Sequence, residues 1–238
     1  MLDVLDLHTH TVASGHAYNT IYEMARSAAE KGVQLLGISD HGPAMDGGAC
    51  PFYFRSSRKV PRTLFGIRIM FGVEFNIVDY HGKVDLEPIM VEPVDFGIAS
   101  LHDVCITPGS AKENTNAYIH AMENPKVHII GHPDDATFAV DYPELVKAAA
   151  EHHVLLEVNE ASVNPHSYRK GGRENAAKLL ALCQQYGVSV ILASDAHIEY
   201  SILDHQYGLS LLEECHFPEE LVVNRSVDAL TAALNAKG

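Results

Sequence analysis

Nine positions near the start of the chain, His8 to His16 in "HTHTVASGH", hold three histidines, and a carboxylate, Asp6, stands just before them. Imidazole and carboxylate groups crowded together suit a divalent ion of borderline hardness such as zinc, manganese or iron(II). Side chains two apart in an extended strand point the same way. His8 and His10 are therefore expected to face one point, as are Asp195 and His197 in "SDAH". Asp6 has the parity of His8 and is expected one layer deeper, where it would accept a ring N–H and fix a ligand tautomer.

The same residue types recur down the chain at the ends of apolar runs: His41 in "ISDH", Glu74 in "GVE", His102 in "SLH" and His132 in "GHP". A single histidine in such a place is ordinarily a hydrogen-bonded core or rim residue. Seven of them with two acids are a different matter, because that many unpaired polar rings at one point would destabilise the fold. Metal coordination is the economical reading. The other eight histidines, His81, His120, His128, His152, His153, His166, His205 and His216, mostly fall on helices, loops or strand starts and read as surface or capping residues.

These side chains need a frame that brings distant segments to one place. Seven short apolar runs read as strands: "LDVLDL", "QLLGIS", "RIMFGVE", "DFGIASL", "VHIIGH", "VLLEV" and "SVILAS". Between them lie amphipathic segments such as "YNTIYEMARSAAEKG", with apolar Ile21, Met24, Ala25 and Ala28 and a glycine stop at Gly32. "YPELVKAAAEHH" and "RENAAKLLALCQQYG" repeat that form. Alternating strands and helices imply an α/β fold of parallel strands with crossover helices. An open doubly wound sheet would spread the polar strand ends along one edge. A closed barrel gathers them at one rim, so a TIM-barrel-like fold in one domain, 1–238, is the expectation.

Composition narrows the partners. The 238 residues are 47% hydrophobic and 20% charged, the profile of a globular protein with a sizeable core. A formal charge of −14 argues against a broad basic face for duplex nucleic acid, and an anionic substrate would need local positive charge, which bound metal ions provide. Four scattered cysteines without a C-x-x-C pair argue against a thiolate zinc site or a redox dithiol. No run is apolar for the roughly 20 residues of a spanning helix, and no signal-peptide pattern opens the chain. A cytoplasmic protein with reduced thiols and no membrane partner is expected. The G-x-S-x-G, P-loop and G-x-G-x-x-G patterns are absent.

The segments "DLHTH", "HAY", "SDHG", "GVE", "LH", "GHP" and "SDAH" together resemble the PHP (polymerase and histidinol phosphatase) family, and more narrowly its YcdX-like phosphatases. "HTHTVASGHAYNT", "GISDHGP", "VPRTLFGIRIMFGVEFNI" and "SYRKGG" extend the resemblance along essentially the whole chain. It implies a distorted seven-stranded (β/α)7 barrel with three divalent ions, usually zinc, with manganese or iron as alternatives. Carried over position by position, it gives His8, His10, Glu74 and Asp195 to one ion. Glu74 bridges to a second held also by His102 and His132, and His16, His41 and His197 take the third. A homotrimer is implied as well.

The resulting expectation is in-line hydrolysis of a small phosphate monoester by a metal-bound hydroxide at a trinuclear site. Arg62 in "VPR" is a candidate phosphate contact, and Arg169 and Lys170 in "SYRKGG" are candidates for the mouth of the site. A metal-dependent amidohydrolase or deaminase is the nearest rival, disfavoured because no strand end offers a lysine for a bridging carbamate. A short-oligonucleotide nuclease and a non-catalytic PHP module are the others. The acidic charge speaks against the first and the complete ligand set against the second.

Overall fold

The computed structural model describes residues 2–167, 169 and 171–237. All seven expected strands form: β1 (Leu5–Asp6), β2 (Leu35–Ile38), β4 (Ile67–Asn76), β5 (Phe96–Ser100), β6 (Ile129–Ile130), β7 (Leu155–Asn159) and β8 (Val190–Ala193). They pair in parallel in the order β1-β2-β4-β5-β6-β7-β8. An eighth strand, β3 (Thr63–Leu64), lies antiparallel to the start of β4 and was not foreseen. The result is a distorted (β/α)7 barrel, nearly closed.

The helices form where the amphipathic pattern put them, and their ends follow from local chemistry. Helix Ile21–Glu30 starts at a reciprocal capping box between Thr20 and Glu23 and stops before Gly32. Helix Tyr142–His152 is capped by Asp141, and Gly172–Tyr186 ends on left-handed Gly187. Among the described residues no helix is long and apolar enough to cross a membrane.

Inside the barrel Leu5, Leu35, Met70, Phe96, Ile129, Leu155 and Ile191 form an apolar plug. Gly72 makes room for it, since a Cβ there would lie 2.4 Å from the Phe96 ring. Leu230, on the helix Val227–Ala236, packs into the same cluster and closes it. With one end filled by hydrocarbon, only the strand C-terminal ends are left for polar chemistry.

The barrel is not sealed by a strand ladder between β1 and β8. Asn224 bridges that seam instead: its Oδ1 accepts from the Leu192 N–H at 2.8 Å, and its Nδ2 donates to the carbonyls of Leu5 and Leu192. Above it Asp6 accepts from Ser194 and from the Leu203 N–H. Past the strand ends, His10 N–H donates to the Ala196 carbonyl at 2.8 Å.

Candidate metal centre

The nine expected donors converge at the barrel's C-terminal rim. His8 and His10 flank Thr9, whose backbone is held between Ser39 and Ala196, so both rings turn to the centre as strand parity predicts. Glu74 sits two residues before the end of β4, and His41 bridges to it from the end of β2. His132 and Asp195 reach the centre differently. Each has left-handed backbone, with φ of 30° and 56°, immediately past its strand. Parity therefore does not govern Asp195 and His197 as expected, because β8 ends at Ala193 and the chain turns. Non-glycine residues held in this region cluster at functional sites.

His16 lies on a loop positioned by glycine. Gly15 has φ of 81°, and a Cβ on it would lie 2.5 Å from the Gly47 carbonyl oxygen. The two loops thus touch backbone to backbone, and His16 reaches His197 with 3.0 Å between their Nε2 atoms. Two like ring nitrogens so close cannot both carry protons, whereas one ion can take both lone pairs.

The inner atoms have the spacing of ligands around an ion. His8 Nε2 lies 3.2 Å from Glu74 Oε2 and 3.6 Å from Asp195 Oδ1. His10 Nε2 lies 3.5 and 3.2 Å from the same two atoms. Ligands bound tetrahedrally at 2.0–2.1 Å stand about 3.3 Å apart. The other Glu74 oxygen, Oε1, faces His102 Nε2 at 3.3 Å and His132 Nε2 at 3.2 Å. His41 is closer to Glu74 than the expected division implies, with Nδ1 2.8 Å from Oε2. A ring nitrogen of His41 falls within reach of His10 and His197, and one within reach of Glu74 and His102.

Three of the rings are also oriented from behind. His8 Nδ1 meets Glu157 Oε1 at 2.6 Å, His10 Nδ1 meets Ser14 Oγ at 3.0 Å and His102 Nδ1 meets Asn76 Oδ1 at 2.8 Å. Ser14 can accept from His10 because its hydroxyl donates to Asp40. With Nδ1 engaged, the Nε2 lone pairs aim inward. His8 Nε2, His10 Nε2, His41 Nδ1 and Glu74 Oε2 are buried without a hydrogen-bond partner. Such orphaned atoms are costly unless something else satisfies them, and the donor set fits divalent ions.

Electrostatics agree. Burial works against charge on Glu74, yet the rings of His41, His8 and His102 hold its carboxyl well below the usual range. Asp195 is held low against burial in the same way, by His8, His10 and Arg169. Burial, with His41 and His197 nearby, keeps the His10 ring neutral, and burial pushes His102 down to about 4. Burial also opposes charge on His8, but Glu157, Glu74 and Asp195 reverse that and raise its proton affinity well above ordinary. Positive charge is thus favoured beside the three carboxylates and disfavoured where the rings crowd one another.

A PHP domain model matches residues 6–162, a span that includes His8, His10, His16, His41, Glu74, His102 and His132. The chain belongs to the PHP family. A relative from Clostridium novyi, named a probable phosphatase, is 40% identical over 235 residues, 99% of this chain and 96% of that one. Another of that name from Caldicellulosiruptor saccharolyticus is 43% identical over 234 residues, 98% and 97% of the two chains. Among solved structures, the histidinol phosphate phosphatase of Lactococcus lactis, complexed with zinc, L-histidinol and phosphate, superposes with a TM-score of 0.64. It shares 17% identity, covering 92% of this chain and 95% of that one, a likeness of fold.

Other residues of this PHP chain depart from expectation. Arg62 is far from the rim: it sits beside the start of β4, where its carbonyl accepts from Ile69 N–H and its guanidinium pairs with Asp95 at 2.6 Å. Its place in β3's hairpin, invisible in the sequence, is the reason. Arg169 does line the cleft, which has a volume of about 440 Å³, and its Nη2 donates to Asp195 Oδ2 at 3.2 Å. Lys170 lies outside the described residues. None of the hydrogen bonds of Asp6 goes to a candidate donor. Glu157, unmarked in the apolar run "VLLEV", does the work expected of Asp6. His205, read as a surface or capping residue, does stand at the N-cap of helix Gln206–Glu214, but it is buried beside Asp3, with Nδ1 2.7 Å from its carboxylate.

Proposed function

We propose that the protein is a metal-dependent phosphatase that hydrolyses a small phosphate monoester at a centre of three divalent ions, zinc foremost. The observation that carries this reading is the pair of buried, unpartnered Nε2 atoms of His8 and His10 facing Glu74 and Asp195. The names of the relatives supply the reaction class, and the zinc and phosphate in the Lactococcus lactis structure support both cofactor and substrate chemistry. His8, His10, Glu74 and Asp195 would hold one ion, Glu74 with His102 and His132 a second, and His16, His41 and His197 a third.

Bound ions supply Lewis acidity toward phosphoryl oxygens and lower the pKa of a water toward roughly 7. The protein's own part is placement. Glu74 offers one oxygen to each of two donor sets, which a neutral imidazole with one lone pair cannot do. Arg169, anchored on Asp195, brings a guanidinium to the cleft wall, where it would pair with phosphoryl oxygens as the ester enters. Met45, Val104 and Ala161 line the mouth and would shield the leaving group from water. Assembly as a homotrimer belongs to the same reading, and light scattering tests it.

The decisive experiment is elemental analysis of protein purified without chelator or affinity tag, run beside Glu74→Ala, with p-nitrophenyl phosphate turnover on the same samples. Close to three ions per chain with turnover is expected, and loss of both in the variant. Three ions without turnover on any phosphoester would point to another hydrolase or a binding role. Failure of the native protein to hold metal after reconstitution would overturn the reading.

A further inference from the structure

We propose that Glu157 is a positioning residue that ties two of the donor sets together through hydrogen bonds at both of its oxygens; the inference rests on the metal-centre reading above. Glu157 lies in mid-strand on β7 and is fully buried. Its Oε1 meets His8 Nδ1 at 2.6 Å. Its Oε2 accepts the backbone N–H of His132 at 2.6 Å and the side-chain N–H of Asn159 at 3.0 Å. It is not among the described residues that line the cleft.

Each bond does a separate job. The bond to His8 requires a proton on Nδ1, which frees Nε2 to face Glu74 and Asp195. The bond to His132 N–H holds a residue whose φ of 30° lies in the left-handed region that few non-glycine residues adopt, and its ring stands 3.2 Å from Glu74 Oε1. One side chain therefore fixes the tautomer of a donor in the first set and the backbone of a donor in the second.

Only an acceptor at both ends can do this, and a carboxylate is the one side chain of this length that qualifies. Glutamine, of nearly the same size, fails in either amide orientation. With its NH2 toward His8 it forces Nδ1 to accept, which moves the ring proton to Nε2, where an ion belongs. With its NH2 toward His132 it sets three donors against one another.

The test is zinc affinity of Glu157→Gln by competition with a chelator series, alongside metal content and the thermal midpoint of the metal-free protein. Binding 10- to 100-fold weaker than wild type is expected, the usual effect of losing a residue that orients a ligand, with the metal-free midpoint essentially unchanged. Equal affinity would overturn the inference while leaving the metal centre standing. Failure of the wild type to bind zinc would instead overturn the reading it rests on. Should the variant not fold, ¹⁵N NMR of the zinc-loaded wild type decides: His8 protonated at Nδ1 and ligated through Nε2 is expected, and the opposite tautomer excludes the role.

Discussion

Arg169 and Arg62 separate an arginine in the wall of the candidate centre's cleft from one on the surface away from it. Arg169 is 8% exposed and bonded to Asp195, Asn159 and Ser162 at the cleft, whereas Arg62 is 41% exposed in a surface pair with Asp95. Arg169→Ala should raise KM for a phosphate monoester at least 10-fold, while Arg62→Ala leaves turnover unchanged and costs less than about 1 kcal/mol of stability, measured by steady-state kinetics and urea unfolding. His205 makes a different prediction. Burial opposes its charge, but the hydrogen bond to Asp3 and the Asp6 carboxylate 3.7 Å away outweigh that and push it up to about 10 from 6.5. A histidine raised on folding contributes stability that is complete below pH 6.5 and lost as pH climbs through about 10. Urea unfolding from pH 6 to 11 should show that decline, and His205→Asn should flatten it. That the nine candidate residues would converge was legible because eight of them recur at or just past strand ends, with His16 on the loop beyond the first. Glu157 and His205 were not, because their partners lie 149 and 202 positions away and nothing local marks them.

At the level of elements, periodicity located every parallel strand and the helices it described, since each buries an apolar face that its own sequence displays. What it could not give is how the sheet ends. The segment that fills the seam, around Asn224, was not among the runs read as strands; its role comes from three hydrogen bonds to strands far away in sequence. β3 was missed for a similar reason, being two residues long and defined only by its partner. Asn224→Ala would leave the Leu192 N–H and two carbonyls unpaired in the interior. It should lower stability by about 2–4 kcal/mol in chemical denaturation, far more than a surface loop residue costs.

For the molecule as a whole, the two halves of the candidate centre sit on opposite sides of that seam. His8 and His10 come from the first strand's end and Asp195 and His197 from the last, brought together only by the completed barrel. An ion shared between them would therefore be a removable cross-link between the ends of the fold, closing a loop of nearly the whole chain. Ions that bind the folded chain and not the unfolded one stabilise by mass action, about 2.7 kcal/mol at one hundred times the dissociation constant. Zinc should slow unfolding in guanidinium at least 10-fold, and a chelator jump should restore the metal-free rate. The ions proposed to act on an ester would then also set how long the barrel stays shut, so that metal supply would govern the lifetime of the protein as well as its turnover.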